Sequence, residues 1–172
     1  RRRIMSVVNL AAVLTVCACK ETNKNITNEV NQTDKTEHRE KGYLFEAKEI
    51  TMSVDEEANK YFIKLGEPEA YFEAKSCAFD DTDKIYTYSG FEITTYTINE
   101  KEYVLSIVLL NDTVKTKEGI SIGSDALKVE EVYGTPKKST KTWKTYEKDG
   151  MTLRFIIEDG KVYSIEYLSN VV

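Results

Sequence analysis

Three groups of residues in this 172-residue chain have types that chemistry can use: a lone Cys77, an acidic run at Asp80, Asp81 and Asp83, and a set of strand-borne aromatics. A nucleophilic thiol needs a base to remove its proton. The chain has one histidine, His38, and it lies in a polar stretch far from any patterned segment. Cys77, flanked by Ala78 and Phe79, is therefore expected as a buried core thiol. The three aspartates offer oxygen ligands of the kind calcium takes, but the run lacks the turn glycine and the distal glutamate of a calcium loop. A solvated turn is the expectation. Twenty-four carboxylates lie between Tyr43 and Val172, and no spacing among them selects a general acid and its base. No catalytic residue, metal site or cofactor is expected.

The aromatics suggest binding instead. Tyr86, Tyr88, Trp143, Tyr146, Tyr163 and Tyr167 all fall on strand candidates, where tyrosine and tryptophan supply rigid contact area to a partner. Alternation puts Tyr86 with Tyr88, and Tyr163 with Tyr167, on shared faces. The competing reading is a core between helix and sheet. Lys137, Lys138, Lys141, Lys144 and Lys148 surround Trp143 as a basic rim or a solvated face.

Two stretches organise the elements that carry these residues. Glu49 to Pro68 and Glu118 to Pro136 share one plan: a short apolar alternation, a serine, about three helical turns, then Gly-x-Pro. In the first, Ser53 and Glu56 have capping-box spacing, and Ala58, Tyr61, Phe62 and Leu65 fall at helical intervals. In the second, Ser124 is the cap candidate, and Ala126, Val129 and Tyr133 form the apolar stripe. Gly66 and Gly134 stop the helices, with Pro68 and Pro136 behind them. The first helix is expected to be the longer.

Strands are predicted at 76–79, 84–88, 91–98 and 103–110 after the first copy, and at 141–147, 151–157 and 162–168 after the second. The 104–110 segment is apolar on both parities, which predicts a strand covered on both sides. Residues 69–75 allow a second helical piece. The fold class expected is α+β: two tandem repeats, 43–115 and 116–172, each a helical element followed by an antiparallel sheet of three to four strands.

Ahead of the repeats, Arg1 to Arg3 and an apolar run from Ile4 to Val16 read as a signal segment ending at residue 19. Its end, Val16-Cys17-Ala18-Cys19, resembles the lipobox of bacterial lipoproteins. That resemblance implies that Cys19, after the small Ala18, takes a diacylglycerol. Residues 20–42 are rich in Asn, Thr, Glu and Lys and are expected to form a disordered tether. The formal charge of -5 is uneven: 43–115 holds 7 basic and 15 acidic residues, whereas 116–172 holds 9 of each. An acidic surface repels phosphate backbones, so nucleic acid is not an expected partner.

The turn Gly119-Ile-Ser-Ile-Gly123-Ser124 and the ending Tyr133-Gly134-Thr135-Pro136 resemble the beta-lactamase-inhibitor-protein-like fold and the related small outer-membrane-assembly lipoproteins. The stretches Ser76 to Tyr88 and Lys115 to Ser124 resemble uncharacterised lipoproteins of clostridia-like bacteria. The resemblance implies a fold and a binding role. The function expected is that of an exported protein, lipid-anchored on the extracytoplasmic face of the cell membrane, that binds a protein partner through an aromatic-bearing sheet face. The roles that role would serve are envelope assembly or enzyme inhibition. The alternatives are an envelope-polymer hydrolase or a passive structural adaptor.

Overall fold

The structure is a computed structural model that describes residues 42–76 and 82–171. The expectations for the signal segment, Cys19, His38, Cys77, Asp80 and Asp81, and for the tether short of Gly42, lie outside the described residues.

Strict alternation decides where the sheet turns its faces. Met151, Leu153, Phe155 and Ile157 are buried, while Thr152, Arg154 and Ile156 between them are only half-buried. The described chain runs β1 (Phe45–Ala47), β2 (Ile50–Met52), α1 (Asn59–Leu65), β3 (Ala70–Lys75), β4 (Thr82–Tyr88), β5 (Phe91–Ile98) and β6 (Lys101–Leu109). It continues through α2 (Ala126–Tyr133), β7 (Lys138–Ser139), β8 (Trp143–Lys148), β9 (Met151–Glu158) and β10 (Lys161–Ser169). Four hairpins close through two-residue turns with both residues at positive φ: Lys48-Glu49, Asn99-Glu100, Asp149-Gly150 and Asp159-Gly160. That backbone matches the right-handed twist of the strands it joins.

The two-repeat α+β expectation is corrected. The described residues are mostly sheet, 51% strand against 12% helix, and eight of their strands form one antiparallel sheet in the order β3-β4-β5-β6-β10-β9-β8-β7. The halves meet where β6 pairs with β10, setting Ile107 opposite Tyr167 and Leu109 opposite Ile165. All four side chains are buried, so neither half keeps a separate sheet with its own core. One hydrophobic cluster joins this face to Tyr61 and Leu65 of α1, Val129 of α2, and Phe45 and Met52 of the small β1–β2 hairpin. The Phe45 ring lies 5.1 Å from Phe91 and 5.8 Å from Tyr167, pinning that hairpin at the seam between the halves.

The helices are shorter than the sequence suggested. α1 has seven residues and α2 eight, so the first is not the longer. Ser53 does not cap α1, because Asp55 takes φ 61 and its N–H donates to the Val104 carbonyl at 2.8 Å. Residues 53–57 are thereby tied to β6 rather than wound into helix. Ser124 does not cap α2 either: its Oγ accepts from the N–H of Ser121, and Asp125 takes the capping position. Gly66 and Gly134 do end the helices, at φ 76 with extended ψ, a region essentially closed to other residues. The stretch 69–75 is strand β3, not helix. The central strand β6 is covered on one face only, since Leu105, Ser106 and Val108 stay half-buried.

Candidate functional site

Residues paired across an antiparallel ladder share a face, so the side of the sheet away from the helices can be read strand by strand. One row runs Phe72, Ile85, Thr94, Ser106, Leu168, Thr152 and Glu147, and a second beside it runs Ala70, Thr87, Glu92, Val108, Glu166, Arg154, Thr145 and Lys138. Among the described residues no helix packs on these rows. Trp143 and Ile156 pair with each other on the same face beyond Thr145 and Arg154.

Two hollows mark this open face. One, of about 250 Å³, is lined by Lys138, Trp143, Thr145, Glu147, Thr152, Arg154 and Ile156. The other, of about 450 Å³, is lined by Leu105, Ser106, Leu168, Ser169 and Asn170 together with the same Thr145, Thr152 and Arg154. Arg154 thus stands at the join. Its Nε donates to Glu166 Oε2 at 2.6 Å and an Nη contacts the same oxygen. Glu166 also accepts from the Ser164 hydroxyl at 3.4 Å. The pair cancels its own charge and leaves the other guanidinium donors without a hydrogen bond among the described residues. Thr87 donates to Glu92 at 3.3 Å on the same row.

The arrangement offers hydroxyls, one oriented guanidinium and half-buried apolar side chains. It offers no nucleophile beside a base. No group of three His, Cys, Asp or Glu side chains stands close enough to hold a metal among the described residues.

The six aromatic candidates are not brought together. Tyr88, Tyr146 and Tyr167 are 2%, 3% and 1% exposed and point to the helix side. Tyr88 donates to the Gly66 carbonyl at 3.4 Å and Tyr146 to the Gly134 carbonyl at 3.3 Å, each holding a helix end to the sheet. Burial, with the Glu130 charge second, pushes the Tyr146 hydroxyl up to about 12. Tyr86 lies under Phe62 at 4.3 Å and donates to Glu102 at 2.9 Å. Burial first and that carboxylate second raise its hydroxyl far above the usual tyrosine range. Glu102 also takes Lys84 and the Thr95 hydroxyl, so this polar cluster is structural. Tyr163 is 63% exposed at the bulge of β10, and only Trp143 lies on the open face.

Of the six candidates, the open face therefore keeps only Trp143. The reason is that tyrosine is amphipathic, and here the ring fills the core while the hydroxyl reaches a helix-end carbonyl. Of the basic rim, Lys138 lines the Trp143 hollow, Lys144 turns to Glu130 of α2 at 2.5 Å, and Lys137 approaches Glu147 at 3.8 Å. Arg154, Glu166, Thr145 and Thr152 were missed. Their signal was the half-buried parity of β9, where Ile156 interrupts a polar series.

No protein-family model matches the chain, and no curated protein sequence matches it. The fold is similar to that of an extracellular protein containing a SCP domain from Bacillus anthracis str. Ames, with a TM-score of 0.51 at 10% identity over 68% of this chain and 44% of that one. A cysteine-rich secretory protein from Staphylococcus aureus subsp. aureus Mu50 gives a TM-score of 0.48 at 11% identity over 67% of this chain and 43% of that one. The chain thus spans less than half the length of the solved proteins it matches. The beta-lactamase-inhibitor-protein-like resemblance, with its lipoprotein relatives, is corrected by this likeness to a SCP-domain protein. Among the described residues no helix is long and apolar enough to cross a membrane.

Proposed function

We propose that this chain is an exported binding module that seats an extended segment of a partner protein across the open sheet face, over Arg154 and Trp143. The observation that carries this reading is the pair of hollows joined at Arg154 on a face that no helix covers among the described residues. Extended peptide fits because the hydroxyls of Ser106 and Thr152, the latter donating to Asn170 and left to accept, stand on one row with Leu168, beside Trp143 and Ile156. Donors and acceptors that stand in such a lattice match backbone amides and carbonyls. The internal neutralisation of Arg154 by Glu166 favours a segment of low net charge. Export is supported by the signal-like start of the sequence, and anchoring by the lipobox-like Val16-Cys17-Ala18-Cys19. The native mature protein is then expected to begin at a diacylglyceryl-modified Cys19, which mass spectrometry of the membrane fraction reads directly.

Site-specific photo-crosslinking from the full chain in its host envelope tests the face. A crosslinker placed at Thr152 is expected to capture one protein partner, and a crosslinker at Ile63, exposed on α1, is expected to capture none. Trp143→Ala and Arg154→Ala are each expected to cut the Thr152 yield at least several-fold. Capture from Ile63 alone, or a Thr152 adduct indifferent to both substitutions, refutes the reading.

A further inference from the structure

Every open sheet has two edges, and a bare edge is a template for another strand unless it is short, bulged, charged or blocked by proline. Here the two edges are treated differently. β7 is only two residues long, and Pro136, Lys137 and Lys138 crowd it. At the opposite edge, β3 runs six residues, and its ladder with β4 holds register without a bulge from Ala70–Thr87 to Lys75–Thr82. Its outer side pairs with no strand among the described residues. Phe72 is 62% exposed and Tyr71 49% exposed, so the strand also carries apolar surface at the rim.

We propose that the β3 edge is a homodimer interface, in which two copies of this chain pair β3 with β3 antiparallel about a two-fold axis through Phe72. The argument is self-complementarity. A two-fold interface must present one patch to itself, so each residue meets its mirror position. Centred on Phe72, the sequence EAYFEAK from Glu69 to Lys75 does this at every step. Phe72 meets Phe72 of the second copy on the open face. Ala70 meets Ala74, so small residues flank the crossing rings.

On the helix side Tyr71 meets Glu73. Within one chain the Tyr71 hydroxyl already donates to Glu73, which shows that the two groups are compatible partners at this spacing. Glu69 meets Lys75, an opposite-charge pair formed twice. Glu69 lies one residue ahead of the ladder and is held beside it, its N–H donating to the Thr87 carbonyl at 2.8 Å. Moving the axis by one residue, onto Glu73, would set Glu73 against itself. An axis on Ala74 would again pair Glu73 with Lys75 but would use only residues 73–75 of β3, so charge and strand length together select the Phe72 register. The result is a continuous antiparallel sheet through both copies, with the two open faces on the same side.

Sedimentation of the full chain over a range of concentrations tests this, with circular dichroism confirming the fold of each variant. The expected mass rises from 19.7 kDa toward a dimer. Phe72→Lys sets two ammonium groups on the axis and is expected to leave a monomer. Glu69→Lys turns two attractive pairs repulsive and is expected to weaken association about tenfold. Glu69→Lys with Lys75→Glu restores opposite charges in the same register and is expected to recover the wild-type dissociation constant within about twofold. A wild-type chain that stays monomeric at every concentration overturns the proposal. So does a dimer indifferent to Phe72→Lys, or one that the double exchange fails to rescue.

Discussion

Removing one oxygen from the core is expected to stabilise this protein. Tyr167 is 1% exposed, sits between Leu153 and Ile107 in the sheet, and its hydroxyl has no hydrogen-bond partner among the described residues. Burial, with the Glu118 and Glu46 charges behind it, raises this hydroxyl far above the usual tyrosine range. An unpaired buried hydroxyl costs roughly 1–3 kcal/mol. Tyr167→Phe removes that cost and orphans no other group. The space left by one oxygen, roughly 10 Å³, costs about 0.2 kcal/mol at the usual cavity coefficient. The net expectation is a gain of about 1–2 kcal/mol, a rise in Tm of roughly 4 °C per kcal/mol for a folded part of this size.

Tyr88 and Tyr146 supply the control, because their hydroxyls hold the Gly66 and Gly134 carbonyls. Tyr88→Phe and Tyr146→Phe are expected to destabilise by about 0.5–1.5 kcal/mol each. Urea unfolding of the three variants, with unchanged slope, separates the cases. If Tyr167→Phe falls below wild type as the other two do, the hydroxyl has a partner and the reasoning fails.

Gly90→Ala is expected to cost about 2 kcal/mol or more, read by thermal melting, because φ is 88 and a Cβ there would lie 2.8 Å from Thr113 Oγ1 and 3.0 Å from Val114 Cγ1. Phe155→Ala, at a fully buried ring 5.3 Å from Tyr133 and 6.0 Å from Tyr146, is expected to cost about 3–5 kcal/mol in urea unfolding. Alkali is expected to unfold the protein cooperatively: the hydroxyls of Tyr96 and Tyr146, up to about 12, and of Tyr88 and Tyr61, also raised, stay protonated when folded. Their stabilisation is complete below the ordinary tyrosine value near 10 and is lost above it at about 1.4 kcal/mol per pH unit per tyrosine, so the part of the tyrosinate absorbance that belongs to these four should appear with the loss of circular dichroism, not before it.

Local patterns were legible where one physical rule acted alone. The alternation of Met151 to Ile157, the glycine-stopped helices and the Asp-Gly hairpins all follow from short-range backbone and burial preferences, and the structure has them. The reading failed where tertiary contacts overrode local signals. Ser53 and Glu56 have capping-box spacing, yet the bond from Asp55 N–H to Val104 draws that segment onto β6 and delays α1 to Asn59. Residues 69–75 contain helix-tolerant Ala, Glu and Lys, but the ladder to β4 makes them strand. The pairing of β6 with β10 leaves no trace in either segment alone, which is why the sequence left open whether the sheets of the two halves would be continuous or only paired, and the structure makes them continuous.

The expectation that the aromatics share one open face failed for a related reason, and its failure relocates the proposed binding surface. A tyrosine on a strand is compatible with either face, and parity alone does not say which side the helices will cover. Once Tyr146, Leu153 and Phe155 are placed against the helices, every residue of opposite parity on β8 and β9 is assigned without further choice. Trp143, Thr145, Arg154 and Ile156 are then the residues left on the uncovered side. Leaving Trp143 and Ile156 half-buried there forgoes the stabilisation of full burial, about 25 cal/mol for each Å² still wet. Trp143 and Ile156, left beside Arg154, are the apolar surface on which the proposed partner-binding reading rests.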